Sequence, residues 1–250
     1  MHVEYHNFYA YRLDRMMEFK IYGHAGKPLV VFPSSGGRFH EFEDFGMIDA
    51  ISGLINEGVV QVYALDSIDK ETWLAMGRSA DDKAMHHNAY DRYVIEEMVP
   101  YIRERNAYWG NLALTGCSLG AFHAANFYFR HPDVFDTLIA LSGIYDVRFM
   151  VGDHLTSSDV YFNSPLDYLP NLSDPHYLDR YRQGHLIFSA GQGRWESESL
   201  RDMDRLSAIL ADKGVDAWFD RWGHDVDHDW PWWRQMLPYY LGILKDQNIL

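Results

Sequence analysis

The chain predicts an α/β protein with a mostly parallel central sheet and helices on both faces. Short β-branched and aromatic runs alternate with longer stretches of helical period from one end to the other. The central run of KPLVVFPSS is apolar throughout instead of alternating, which suits a strand buried on both faces. Strand-helix-strand units of this length close as right-handed crossovers, and these make parallel neighbours.

Taken in order, VEYHNFYAYRLD and RMMEFKIYG read as two antiparallel strands joined by a short turn. After the KPLVVF strand, FEDFGMIDAISGLINEG places Phe45, Ile48, Ile51, Leu54 and Ile55 at helical spacing and stops at Gly58. VVQVYALD is a strand, and ADDKAMHHNAYDRYVIEEMVPYIRERN is a long helix with a kink expected at Pro100, which has no N–H to donate. NLALTG, FDTLIALSG, HLIFSAG and DAWFDRWG are further strands. AFHAANFYFRHP, ESLRDMDRLSAILADKG and WPWWRQMLPYYLGILK are the helices between and after them. Residues 147 to 184 break the rhythm, with Pro165, Pro170 and Pro175 and no clear period. Such an insertion beside a strand end is either a lid or binding loop, or a packed surface excursion.

With 250 residues and 47% hydrophobic content, one domain over residues 1–250 with a sizeable core is expected. A net charge of −14 repels phosphate backbones and anionic bilayers, so neither nucleic acid nor a membrane surface is the expected partner. Cys117 is the single cysteine, which rules out an intrachain disulfide or a thiolate metal cluster. The first twenty residues lack the basic start and apolar core of a signal peptide, and no run of about eighteen apolar residues occurs. A cytoplasmic location follows as the expectation. Oligomeric state is left open, a homo-oligomer being common for this class.

The chemistry concentrates on Gly116-Cys117-Ser118-Leu119-Gly120, between a strand and a helix rich in small residues. A sharp strand-to-helix turn at Ser118 needs flanking glycines and lifts the hydroxyl above the sheet, facing a helix N-terminus that favours an oxyanion. The alternative is a structural glycine-rich turn. A serine nucleophile needs a base, which in this arrangement comes last in the chain, after an acid. The loop after DAWFDRWG offers His224 and His228; His228, directly before Trp230, Pro231 and the final helix, is the better placed. The same HDVDHD stretch could hold a metal, but it reads as a loop and no third ligand group stands out, so no metal is expected. The acid candidates are Glu196, just past the HLIFSAG strand, and Glu198, which a helix N-terminus alone would explain; Glu196 is preferred. The oxyanion donors expected are the N–H of Leu119 and that of Ser35 or Gly36, in the loop Pro33–Arg38. Trp73, Trp195, Trp230 and Tyr145 lie near these loops and are candidate substrate-binding residues, against the alternative that each packs the core of a chain that is 16% aromatic. Cys117 reads as a small buried filler.

FPSSGGRFHEFEDFGM, LTGCSLGAFHA and GHDVDHDWPWWRQMLPYYL resemble the putative-esterase branch of the α/β hydrolases, which includes esterase D and the mycolyltransferase antigens, over nearly the whole chain. The sharpest marker is His-x-Trp-x-x-Trp at His228, Trp230 and Trp233, where that family places its catalytic histidine. The resemblance implies an α/β-hydrolase fold and hydrolysis or transfer of a small-molecule ester through an acyl-serine, with no cofactor. It allows the acid at Glu196 or Glu198. A serine carboxylesterase with the triad Ser118, Glu196 and His228 is the expectation. The alternatives are an acyltransferase on the same triad, a catalytically silent binding protein of the same fold, and metal-dependent hydrolysis through the HDVDHD loop.

Overall fold

A computed structural model describes residues 1–153 and 157–250. Eight strands build one sheet: β1 (Val3–Ala10), β2 (Arg15–Tyr22), β3 (Lys27–Phe32), β4 (Val60–Leu65), β5 (Leu112–Cys117), β6 (Phe135–Leu141), β7 (His185–Ala190) and β8 (Trp218–Arg221). Their order is β1-β2-β4-β3-β5-β6-β7-β8. β1 pairs antiparallel with β2, and β2 antiparallel with β4; every later pairing is parallel. β1 lies at an edge and alternates in exposure, whereas every residue of β3, β4 and β5 is buried. That difference is the one the apolar runs encode, because only central strands are covered on both faces.

Helices cover both faces. On one lie the helix Leu119–Arg130, which follows β5, together with Ala80–Tyr93, Pro175–Gln183 and Ser197–Asp212. On the other lies the C-terminal helix Trp230–Asp246, with the short turns between Glu41 and Asn56. Cys117 faces this second core, fully buried, and burial pushes its thiol well above the ordinary range. Among the described residues no helix is long and apolar enough to cross a membrane.

Three local outcomes differ from the pattern or refine it. The stretch read as one helix from Phe42 to Gly58 is three short pieces, Glu41–Asp44, Met47–Ala50 and Ser52–Asn56. Gly46 at φ +74° ends the first of them, although the apolar spacing still faces the core. The kink expected at Pro100 is a π-helical turn over Val94–Met98, one turn earlier, which leads into the helix Val99–Arg105. A proline offers no N–H to the carbonyl four residues back and crowds it, so the preceding turn widens. The parts of the segment 147–184 lie in two places. Phe149 and Met150 border the cavity beside Ser118, while Pro165–Tyr168 and Pro175–Gln183 pack on the side of the sheet covered by Leu119–Arg130, the elbow helix that follows the turn at Ser118. Residues 154–156 of that segment lie outside the described residues.

Candidate active site

Ser118 sits at the junction of β5 and the helix Leu119–Arg130 with φ 56° and ψ −121°, a strained conformation for a residue with a Cβ. The flanking glycines are explained by close approach. A Cβ at Gly116 would lie 2.3 Å from the carbonyl carbon of Gly120, and one at Gly120 would lie 2.4 Å from the carbonyl oxygen of Phe32. Strand, turn and helix therefore interlock, and the Ser118 N–H is anchored to the Leu141 carbonyl at 2.9 Å.

His228 approaches from the loop between β8 and the C-terminal helix. Its Nε2 lies 2.9 Å from Ser118 Oγ, across 110 residues of chain. Its Nδ1 lies 3.2 Å from Glu196 Oε2. Hydrogen bonds bind the His228 loop to the loop after β7: the His228 N–H donates to the Arg194 carbonyl at 3.0 Å, the Arg194 N–H to Asp227 at 2.7 Å and the Gly193 N–H to the Val226 carbonyl at 2.8 Å. Trp233, one turn into the C-terminal helix, sets its ring against the imidazole at 5.0 Å and nearly perpendicular.

Glu196 is fully buried. A buried carboxylate must be met by donors, and three are present. Oε1 accepts the Ser142 hydroxyl at 2.6 Å and the Gly191 N–H at 3.2 Å, and Oε2 faces His228. Ser142 also accepts the Trp233 indole N–H at 2.9 Å, so this hydroxyl couples the carboxylate to the residue that packs the imidazole. The sequence reading missed Ser142. Its signal was its place in LSG at the carboxyl end of β6, where open α/β sheets gather functional groups. Glu198 lies in the first turn of the helix Ser197–Asp212, half exposed and 3.8 Å from Arg201. His224 is exposed at the end of β8.

The HDVDHD groups face different partners. Asp227 accepts the Arg194 N–H, Asp229 caps the C-terminal helix through the Trp230 N–H at 2.7 Å, and His228 faces Glu196. Among the described residues no three His, Cys, Asp or Glu side chains are grouped to hold a metal ion.

Leu119 provides the first N–H of the elbow helix, and Ser35 lines the same cavity as Ser118 and Leu119. In the Pro33–Arg38 loop the Ser34 N–H is taken by Glu41 at 2.7 Å, the Gly36 N–H by Asp69 at 3.3 Å and the Gly37 N–H by the Ser34 carbonyl at 2.9 Å. Of the two candidates, the Gly36 N–H is thus already engaged, and Ser35 is the one that lines the cavity beside Ser118.

The cavity beside Ser118 encloses about 50 Å³, and its apolar walls are Leu74, Phe122, Ile144, Phe149 and Met150. None of the four aromatic residues proposed from sequence lines it. Trp73 is buried behind it, against His87 and Phe122. Tyr145 is fully buried with its ring edge on Phe188. Trp230 stacks on Phe45 at 4.7 Å, and Trp195, 79% exposed, projects outward next to Glu196. Trp73 and Tyr145 sit in the turns after β4 and β6 with their rings turned into the core, and Trp230 opens the C-terminal helix against Phe42 and Phe45; the cavity walls come from the turn at Leu74, the loop at Ile144, the short helix Arg148–Val151 and Phe122 on the helix Leu119–Arg130.

Three comparisons bear on the chain as a whole. The family model described as "Putative esterase" matches residues 11–242. No curated protein matches the sequence. Among solved structures, a ferulic acid esterase superposes with a TM-score of 0.75 at 17% identity, covering 97% of both chains. The S-formylglutathione hydrolase FrmB of Staphylococcus aureus, as apoenzyme, gives 0.66 at 15% identity over 97% of this chain and 96% of its own. MPT51 of Mycobacterium tuberculosis gives 0.66 at 14% identity over 96% and 97%. At these identities the structures establish the fold, that of the α/β hydrolases.

Proposed function

The chain belongs to the putative esterase family and is an ester hydrolase; from that premise we propose that it is a serine carboxylesterase working through an acyl-serine on the triad Ser118, His228 and Glu196. The observation that carries the reading is the unbroken relay from Ser118 Oγ to His228 Nε2 at 2.9 Å and from His228 Nδ1 to the fully buried Glu196 at 3.2 Å.

With the Nδ1 proton held by Glu196, the Nε2 lone pair faces the serine and takes its proton as Oγ attacks the ester carbonyl. The tetrahedral oxyanion is met by the N–H groups of Leu119 and Ser35, aided by the N-terminal dipole of the elbow helix. His228, now imidazolium beside the Glu196 carboxylate, returns the proton to the leaving alcohol. A water deprotonated by the same Nε2 then releases the acid and frees Ser118. Every proton moves through one imidazole, so neither metal nor organic cofactor enters the scheme. The partner is a small-molecule ester, one domain over residues 1–250 carries the activity, and the lone buried Cys117 fits a reducing, cytoplasmic setting.

The test is hydrolysis of a nitrophenyl ester series, with organophosphonate labelling. Ser118→Ala is expected to lose at least about a thousandfold in turnover and all labelling. A variant that keeps both would overturn the reading. Partition of the acyl group between water and added alcohol separates hydrolase from acyltransferase; release of acid as the main product supports the hydrolase.

A further inference from the structure

Asp69 is a buried carboxylate that the relay does not use. It lies just past the end of β4 and is 2% exposed. A carboxylate held this deep is stable only when donors meet it. Oδ1 accepts from His123 Nε2 at 2.8 Å, and Oδ2 accepts the Gly36 N–H at 3.3 Å. His123 is 1% exposed and stands on the elbow helix four residues after Leu119, on the same helical face one turn further on. Its ring stacks on His87 at 5.3 Å, and its Nδ1 has no partner among the described residues. Nε2 thus presents its N–H to Asp69.

The consequence concerns two N–H groups on separate elements. One, from Leu119, is fixed by the elbow helix; the other, from Ser35, belongs to a loop. Glu41 holds that loop at Ser34, through the N–H at 2.7 Å and the hydroxyl at 2.8 Å. Asp69 holds it at Gly36 and reaches across to the elbow helix. Ser35 thus lies between two clamped neighbours, and only the Asp69 clamp is itself tied to the element carrying Ser118 and Leu119. The loop's root at Phe32 and Pro33 packs on Gly120 of that helix, so the Asp69 tie governs the far side of Ser35, at Gly36, where no backbone packing among the described residues fixes the distance to the helix.

We propose that Asp69 and His123 are positioning residues of ester hydrolysis: the Asp69 carboxylate, oriented by His123, holds the Ser35 N–H at the spacing from the Leu119 N–H that an oxyanion on the attacked carbon requires. The proposal rests on the serine-esterase reading above. Its effect falls on the transition state, because the planar ester makes less demand on that spacing than the tetrahedral oxyanion does.

The experiment uses the full chain with Asp69→Asn, His123→Phe and His123→Gln, p-nitrophenyl acetate as substrate and a trifluoromethyl ketone as oxyanion-forming inhibitor. A misplacement of about 1 Å costs on the order of a hundredfold. Asp69→Asn and His123→Phe are therefore expected to lose roughly 30- to 100-fold in kcat with KM within about threefold. Ketone affinity should weaken by a similar factor. His123→Gln, whose amide can donate to Asp69, should recover most of the loss. If His123→Phe does not fold, Asp69→Asn and His123→Gln decide by the same criteria. Folded variants that retain wild-type kcat, or that lose kcat while binding the ketone unchanged, overturn the positioning role. A wild-type enzyme that neither turns over the ester nor takes an organophosphonate at Ser118 overturns the serine-esterase reading instead, and the proposal with it.

Discussion

Replacing Glu196 by Gln alters one proton's address while keeping the shape of the site. The carboxylate meets three donors: Ser142 Oγ–H at 2.6 Å and Gly191 N–H at 3.2 Å on Oε1, and His228 Nδ1–H at 3.2 Å on Oε2. An amide has one acceptor oxygen, and the two donors at Oε1 claim it. The NH₂ then occupies the Oε2 position and faces Nδ1, which must present a lone pair. The imidazole proton moves to Nε2, 2.9 Å from Ser118 Oγ, where it blocks the acceptance that the mechanism needs. Loss of the correct tautomer in a serine triad costs about 10⁴ in kcat, or about 5 kcal/mol of transition-state stabilisation. Stability should change by less than about 2 kcal/mol, since the amide refills the same sites and a buried charge is removed. Steady-state hydrolysis of p-nitrophenyl acetate, with circular dichroism as the folding control, measures both. Glu198→Gln, at a half-exposed position, is the matched control and should stay within twofold of wild type. A Glu196→Gln enzyme within tenfold of wild type, or a Glu198→Gln enzyme equally impaired, would refute the assignment of the acid.

Ser142→Ala removes the hydroxyl that joins Glu196 to Trp233 and leaves the buried indole N–H unpaired; urea unfolding should show a loss of about 1–3 kcal/mol, with kcat falling alongside it. Phe149→Ala opens the wall of the cavity beside Ser118, so the ratio of kcat/KM for long over short acyl esters should rise about tenfold across a nitrophenyl ester series. His87 is fully buried, and burial first, then the nearby His123 and Arg130, hold its pKa well below the usual value of 6.5. The unfolded chain therefore binds a proton that the folded one refuses. Stability is retained above about pH 6.5 and lost as pH falls below it, by up to about 1.4 kcal/mol per pH unit. Denaturant unfolding at pH 7.5, 6.5 and 5.5 should show a shallower fall for His87→Phe than for wild type.

What the amino-acid order determined here is what depends on near neighbours. The period of two or 3.6 marks strands and helices because side-chain direction repeats along an element, and the apolar central run of β3 marks a strand covered twice. Gly116-Cys117-Ser118-Leu119-Gly120 was legible for the same reason: its glycines answer a steric demand made within the turn and by the chain directly packed on it. His228 was legible too, through its place before the last helix.

The remainder was decided by packing at a distance. Whether Glu196 or Glu198 turns inward depends on Trp195, whose φ of +61° bends the chain so that one carboxylate enters the core and the other stays in solvent; no periodicity records that bend. Trp73, Tyr145 and Trp230 looked like pocket residues because sequence shows proximity to a loop, while their burial depends on partners distant in the chain: His87 and Phe122 for Trp73, Phe188 for Tyr145 and Phe45 for Trp230. The cavity walls at Leu74, Ile144 and Phe149, and the hydroxyl of Ser142, belong to short turns brought together from separate crossovers. Local chain stiffness writes elements into sequence, but a site is made where strand ends converge, and only the folded sheet brings residues 110 positions apart to 2.9 Å.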